Sequence, residues 1–356
     1  MRSAIIFGYY GNGNMGDEAI LSSLLDQIKK NKKLKNYKIT IASNDPEETI
    51  RLHFEDAQRL FGYTRLPLLL YKMIKEKPII ILGGGGILYG DSVQFYSLLA
   101  FLAKLLHLNF KIVSVSVGPY LSHSIVGFYR SDSKFFGINR FLVKFLFETA
   151  NYASVRDELS RKILINSGVR RKVFLEKDLA LSLKSVNKKY AKELLLTQIP
   201  KNLSRPYIGL NLRYIPDDRI RGDIISKISV IVHYIKRLKG NIIFLPMGNK
   251  DNSDGISNDA SMYNLLKKEI KTNNLYLLRG KYHPKEMKGI YGQMDLVIGM
   301  RLHSVIFSYS KKIPVFAIAY ESKVISFCSD KHIPFVDIYN IDEAKVINFV
   351  TKYLKH

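Results

Sequence analysis

The stretch Gly299-Met300-Arg301-Leu302-His303-Ser304 sets an arginine and a histidine two residues apart, between the apolar runs Leu296-Val297-Ile298 and Val305-Ile306-Phe307. A guanidinium grips carboxylate or phosphate through paired N–H groups, and an imidazole gives or takes a proton near neutral pH. The spacing therefore reads as a reaction centre held between buried flanks, with Gly299 allowing a substrate close to the backbone. A lone histidine is more often structural than catalytic; the Arg301-x-His303 context lifts this one above that rule. Three further cations stand at the ends of strand-like runs. Arg156 follows Ala153-Ser154-Val155, Arg213 follows residues 207–212, and Lys323 follows the apolar run 314–320 by way of Glu321-Ser322. For Arg156 two readings compete: a phosphate or carboxylate clamp, and a structural ion pair with Asp157.

Two glycine-rich segments accompany them. The first, Gly8-Tyr9-Tyr10-Gly11-Asn12-Gly13-Asn14-Met15-Gly16-Asp17, separates a short apolar run from residues that recur at helical spacing, Ile20, Leu21, Leu24, Leu25 and Ile28. A glycine loop opening a helix directs free backbone N–H groups at an anion. It is no Walker loop, and although it contains Gly11-x-Gly13-x-x-Gly16, Asp17-Glu18 would confront a dinucleotide's pyrophosphate. The competing reading is a structural turn. The second segment, Gly83-Gly84-Gly85-Gly86, follows the apolar run Pro78-Ile79-Ile80-Ile81-Leu82 and precedes Asp91. Four glycines in a row are costly to order, so they imply a very close backbone approach, where α/β sheets bind ligands. The competing reading is a tight packing turn.

These segments need strands to position them. Continuous apolar runs at 78–82, 110–117 and 314–320 read as buried parallel strands, with alternating or shorter runs at 4–7, 38–43, 153–155, 207–212, 241–245, 275–278 and 296–298. Helical patterns lie between them, at 224–238, 260–270, after His283-Pro284 and at 342–354 among others. Strand, loop and helix in alternation give a parallel, doubly wound α/β protein. A polar, linker-like region at 184–205, with one helix in it, divides the pattern into residues 1–183 and 184–340, followed by a C-terminal helix at 341–356. The glycine-bearing polar stretch 249–261 reads as a lid.

The balance of 55 Lys+Arg against 31 Asp+Glu leaves a formal charge of +24, which favours anionic partners. Nucleic acid is the weaker choice, since there is no zinc-finger spacing and no aromatic RNA-binding signature. One cysteine, Cys328, excludes an internal disulfide and points to a reducing, cytoplasmic setting. His283, His303 and His332 show no metal-ligand spacing, so no metal is expected. No uncharged run reaches the roughly 18 residues of a membrane span. Two greasy stretches, 98–106 and 141–147, each with one lysine, read first as buried core helices and second as a peripheral contact with a bilayer surface.

The ordered motifs resemble the polysaccharide pyruvyl transferase family. The matching residues are the loop from Gly8 to Glu18, the glycine block with Asp91, Ser116-Val117-Gly118-Pro119, Ser154-Val155-Arg156-Asp157-Glu158-Leu159-Ser160, Asp178-Leu179-Ala180, Gly299-Met300-Arg301-Leu302-His303, and Pro314 through Tyr320 to Lys323. Each is weak alone, but together they run in the family's order over most of the chain; residues 184–290 match least. The resemblance implies two Rossmann-like domains facing across a cleft, GT-B-like, with the acceptor on the first and the donor on the second. It implies phosphoenolpyruvate as donor substrate, with no cofactor, and a pyruvate ketal placed across two hydroxyls of a sugar. It also implies that Arg156 and Lys323 hold the donor's phosphate and carboxylate and that His303 sits at the reacting carbon.

That chemistry suits the residues. Phosphoenolpyruvate carries two anionic groups, and Arg156, Arg301, Lys323 and Arg213 supply cations. Protonating its methylene carbon makes the neighbouring carbon electrophilic, a task for a histidine general acid. Asn14, Asp17, Gly84, Gly85 and Asp91 are left for the acceptor or for the loop backbone, with Asp17 or Asp91 as candidate bases. An acceptor carried on a polyprenyl diphosphate at the inner membrane face fits the basic, partly greasy character. The alternatives are a nucleotide-sugar glycosyltransferase of the same two-domain shape and a non-catalytic scaffold at the membrane surface.

Overall fold

The computed structural model describes residues 2–118, 134–249 and 258–354. Pro119 of the Gly118-Pro119 motif, and residues 250–257 of the stretch read as a lid, lie outside the described residues. Two compact units result: residues 2–12, 17–118 and 134–183 make the first, and Gly13–Gly16 with 184–249 and 258–354 make the second.

The first unit runs β1 (Ser3–Phe7), α1 (Met15–Lys30), β2 (Lys38–Ala42), α2 (Pro46–His53), β3 (Asp56–Gln58), α3 (Leu66–Glu76), β4 (Ile79–Leu88), α4 (Asp91–Leu105), β5 (Phe110–Val117), α5 (Gly137–Thr149), β6 (Tyr152–Val155), α6 (Glu158–Asn166), β7 (Phe174–Leu175) and α7 (Leu179–Ser182). Its seven strands are parallel, in the order β3-β2-β1-β4-β5-β6-β7. The order reverses between β1 and β4, which places both glycine segments at the switch point. Local chemistry agrees with the helix starts. Asp17 and Glu18 open α1 and Lys29 and Lys30 close it, matching the helix dipole. Asp45 and Asp157 cap α2 and α6 by accepting the backbone N–H of Glu48 and Ser160. The core packs Leu69 and Met73 of α3, Leu99 and Ala103 of α4, Leu146 and Phe147 of α5 and Ile163 of α6 on Phe7, Leu82, Phe110 and Val155 of the strands. Each such large side chain contributes about 1.5–3 kcal/mol by leaving water.

One expectation changes here. The four glycines do not form a loop after a strand; β4 continues through them, with Gly83 beside Val113, Gly85 beside Val115 and Gly86 beside Ser116 of β5. Pairing along β5 supplies hydrogen bonds that a free glycine run would lack. The backbone approached closely is met by α1: a Cβ on Gly84 would fall 2.0 Å from Ile20, and one on Gly83 2.7 Å from Leu24. Gly84 and Gly85 also have positive φ, of 41° and 88°, which a side chain would strain.

The second unit runs α8 (Lys188–Leu196), β8 (Tyr207–Asn211), α9 (Asp218–Arg237), β9 (Asn241–Phe244), α10 (Ala260–Glu269), β10 (Leu275–Leu277), α11 (Pro284–Tyr291), β11 (Leu296–Gly299), α12 (Leu302–Ser310), β12 (Val315–Ala319), α13 (Ser322–Asp330), β13 (Phe335–Asp337) and α14 (Glu343–Leu354). Six parallel strands follow the order β10-β9-β8-β11-β12-β13, reversing between β8 and β11. The linker-like region is in fact built into this unit. α8 packs on α11, the Val186 N–H donates to Lys285 O at 3.1 Å, and Lys311 Nζ donates to Ser185 Oγ at 2.9 Å. α14 packs on α9, with Tyr234 and Thr351 hydroxyls 2.6 Å apart. Among the described residues no helix is long and apolar enough to cross a membrane.

Candidate functional site

β8, β11 and β12 are neighbours and parallel, so the residues after them share the carboxyl edge of the second sheet. Arg213 follows β8, Arg301 and His303 follow β11, and Tyr320, Glu321 and Lys323 follow β12. The two arginines flank the point where the strand order reverses. Topology thus gathers four of the expected site residues, Arg213, Arg301, His303 and Lys323, from three separate stretches of chain.

Arg301 is fixed by a partner the sequence did not point to. Its Nε donates to both oxygens of Asp259 at 2.9 Å, and its Nη2 donates to Asp259 Oδ1 at 2.6 Å. Asp259 is fully buried and also accepts from the backbone N–H of Met247 and Gly248 and from Asn211 Nδ2. Burial opposes the charge of Arg301, but the carboxylate and its hydrogen bonds outweigh burial and move its pKa up. The backbone is tied down as well: Asn211 O accepts the Met300 N–H and Asn211 Oδ1 accepts the Arg301 N–H, each at 3.0 Å. Gly299 serves this packing rather than a substrate's approach, for a Cβ there would lie 2.6 Å from Ser304 Oγ. Ser304 in turn donates to Arg301 O at 2.6 Å.

His303 lies in the first turn of α12 and is buried. Gly13–Gly16 are its seat. The Met15 N–H donates to Met247 O at 2.8 Å, the Asn249 N–H donates to Gly13 O at 2.9 Å, and Asn14 bridges to Gly248. Asn14 Oδ1 accepts the Gly16 N–H at 3.1 Å, closing the turn. A Cβ on Gly16 would then fall 2.0 Å from His303 Nδ1 and 2.4 Å from its Cγ. Residue 16 is glycine because an imidazole occupies the side-chain space. The loop read as an anion cradle therefore positions the histidine, and Met247–Gly248 link it to Asp259 and so to Arg301.

The remaining cations stand around Tyr320. The Arg213 guanidinium lies over the Tyr320 ring at 4.9 Å, and the Arg213 N–H donates to Met300 Sδ at 3.3 Å. Stacking of this kind orients a guanidinium before any anion arrives. Arg213 Nε is buried without a hydrogen-bond partner among the described residues. Lys323, at 30% exposure, pairs with Glu321 at 2.9 Å. Burial would raise the pKa of Glu321, yet the charges of Lys323 and Arg213 prevail and hold it below its ordinary value. Burial, then Glu321, moves the Tyr320 phenol up.

In the first unit, the Arg156 side chain and Asp17 are both buried. Arg156 Nη1 donates to Asp178 Oδ2 at 2.7 Å, so the carboxylate that holds it by hydrogen bond is Asp178, not the adjacent Asp157. Asp157 caps α6 and accepts from Ser116 Oγ instead. Burial opposes the Arg156 charge, but Asp178, Asp157 and Asp17 together raise its pKa. Asp17 lies beside β4, where a Cβ on Gly85 would be 2.8 Å from its Oδ1, and its charge acts on Tyr89, whose phenol burial first and Tyr9 and Asp17 next push up to about 12. Glu18 points away into the unit, to His53 Nε2 at 2.9 Å and the Gly11 N–H at 2.8 Å. Asp91 opens α4, and its side chain is outside the described residues. Among the described residues no group of acidic, histidine or cysteine side chains is arranged to hold a metal ion.

The family model for polysaccharide pyruvyl transferases matches residues 14–322. The chain belongs to that family. Asn14, Asp17, Arg156, Arg213, Arg301 and His303 lie inside the matched range of this pyruvyl transferase family member, and Lys323 falls just past it. No curated protein matches the sequence. Among solved structures, the UDP-GlcNAc 2-epimerase of Methanocaldococcus jannaschii is similar over 100% of this chain and 93% of its own, at 14% identity and a TM-score of 0.64. That of Neisseria meningitidis, bound to UDP-GlcNAc, covers 100% of both chains at 13% identity and 0.57. A trehalose-6-phosphate synthase covers 99% of this chain and 91% of its own at 12% and 0.53. At such identities the likeness concerns the fold alone, a GT-B-like pair of parallel α/β sheets.

Proposed function

We propose that this pyruvyl transferase takes its pyruvyl group from phosphoenolpyruvate and places it as a ketal across two hydroxyls of a sugar in a polysaccharide precursor. The observation that carries the reading is the seat of His303: an imidazole packed on Gly16, at the N-terminal end of α12, in the same unit as Arg213, Arg301 and Lys323. In this reading His303 protonates the methylene carbon. The adjoining carbon becomes electrophilic, one sugar hydroxyl adds to it and loses its proton, phosphate leaves, and the second hydroxyl closes the ketal. Two C–O bonds form and the C–O bond to phosphate breaks, with the methylene becoming a methyl group. Lys323 and the stacked Arg213 meet the donor's anionic groups, and the partial positive charge at the start of α12 favours the same anions. Arg301, committed to Asp259, acts as a positioning residue for His303. Arg156 is assigned to the donor as well, on the strength of the family resemblance.

The test is phosphate release from phosphoenolpyruvate with a panel of glycosides, alongside thermal shifts with phosphoenolpyruvate and with UDP. The reading expects stabilisation by phosphoenolpyruvate, and phosphate released together with a ketal-bearing sugar. Stabilisation by UDP with none by phosphoenolpyruvate overturns it in favour of a nucleotide-sugar transferase.

A further inference from the structure

The greasy helices α4 and α5 each bury one side on the sheet and expose a second apolar side. On α4, Val93, Tyr96, Leu99, Ala100 and Ala103 face the core, whereas Phe101 is 50% and Leu105 62% exposed. On α5, Val143, Leu146 and Phe147 are buried, whereas Ile138 is 65% and Phe141 67% exposed. The two helices lie side by side. Ser97 Oγ donates to Leu142 O at 3.0 Å, and further along both helices Lys104 Nζ sits 5.8 Å over the Phe145 ring. Both bury their inner sides in the same core cluster, so both exposed stripes point outward together. Adjacent exposed aromatic and aliphatic side chains of this kind cost free energy in water.

Cations border the stripe. Lys104 and Arg140 are exposed and Lys144 half-buried on the same helices. Beside α5, a cavity of about 290 Å³ is lined by Arg161, Arg170, Arg171 and Lys172 together with apolar Ile165 and Val169. The two features are joined, since Glu148 of α5 accepts the backbone N–H of Arg170 and Arg171 at 2.6 and 3.2 Å, and Arg140 Nε donates to Ser167 O at 3.3 Å. From residue 134 to 175 eight Lys and Arg, leaving aside the buried Arg156, stand against three acids. Each acid is already engaged: Glu148 as described, Asp157 at the cap of α6, and Glu158 with Arg161 at 2.7 Å.

We propose that this face of the first unit docks on an anionic phospholipid surface, with Phe101, Leu105, Ile138 and Phe141 entering the interfacial layer and the cavity at Arg161 and Arg170–Lys172 receiving a phosphorylated headgroup. An apolar strip rimmed by cations is what such a surface selects. A second copy of the chain is disfavoured, because a two-fold pairing of this face would set the same basic rims against each other. The proposal is independent of the chemistry at His303 and is tested without turnover.

The chain contains no tryptophan, so Phe141→Trp creates a sole tryptophan, excited selectively over the tyrosines, in the full-length protein. With vesicles containing about 30 mol% phosphatidylglycerol its emission is expected to move to the blue, while vesicles of phosphatidylcholine alone leave it in place. A Tyr353→Trp reporter on α14 of the second unit is expected not to respond. In co-sedimentation, Phe101→Ser is expected to weaken binding about tenfold or more, and Lys144→Gln and Arg170→Gln about fivefold each. These positions are exposed or half-buried, and unchanged melting of each variant checks the fold. The proposal is overturned by an unshifted Phe141→Trp emission, by equal binding to neutral vesicles, or by a dimer in solution that Phe101→Ser dissociates.

Discussion

Each unit of the chain holds a buried arginine–aspartate pair beside a glycine segment, and the two pairs are built differently. In the first, Arg156 reaches Asp178 through Nη1 alone, and Asp178 also caps the short helix α7. In the second, Arg301 meets Asp259 through Nε and Nη2, and Asp259 gathers two backbone N–H groups and Asn211 besides. The first arrangement leaves most of the guanidinium fork uncommitted to its partner; the second uses it as a strut. The glycines differ in the same sense. Gly84 makes room for Ile20, a core side chain, whereas Gly16 makes room for His303, a side chain suited to chemistry. Equal residue types thus serve packing in one unit and positioning in the other.

Removing the carboxylates probes the difference most strongly. Asp259→Ala leaves Arg301 buried without its counter-charge and is expected to cost about 3–5 kcal/mol, read from urea unfolding with hydrogen exchange reporting each unit. Asp178→Ala is expected at the lower end, about 3 kcal/mol, because Arg156 meets that carboxylate through one nitrogen where Arg301 uses two. Equal losses would erase the distinction between strut and open fork. The glycines come next. Gly16→Ala forces the imidazole aside, and a misplacement of about 1 Å in a reacting group lowers turnover about a hundredfold, with melting little changed. Gly84→Ala is expected to do the reverse, costing about 1–3 kcal/mol by overpacking against Ile20 and sparing any turnover that survives. The smallest effect concerns acid. Glu321 has its folded pKa depressed, so its contribution is complete above the ordinary carboxylate range and is lost as pH falls through the folded value. The stability gap between the wild type and Glu321→Gln should stay level from neutral pH down to that range and narrow below it; a gap that widens in acid would contradict the assignment.

What the sequence disclosed was mostly what runs of adjacent residues disclose. The buried strands at 110–117 and 314–320 announce themselves by continuous apolar character, and both switch-point glycine segments by composition. The strands β3 and β13 carry no comparable signal, each having three residues and a single buried one. Partners brought by topology were hidden. Asp259 lies 42 residues before Arg301 in a polar stretch that read as a lid, and only the pairing of β8 with β9 and β11 brings the two together. Asp157 looked like the partner of Arg156 because it is adjacent, and its charge does act there, but its oxygens are taken by the Ser160 N–H and Ser116 Oγ. The residue that does reach Arg156, Asp178, comes just after the next strand, β7. Asn211 left one usable trace, a polar residue closing an otherwise apolar buried strand.

In the proposed reaction His303, seated on Gly16, is the proton donor to phosphoenolpyruvate. The direct measurement is the rate of phosphate release from phosphoenolpyruvate in the presence of an accepted sugar, for the wild type and for His303→Gln with matched melting behaviour. A loss of about a hundredfold to ten-thousandfold is expected in the variant, with phosphoenolpyruvate still bound. A variant that releases phosphate at the wild-type rate would contradict it.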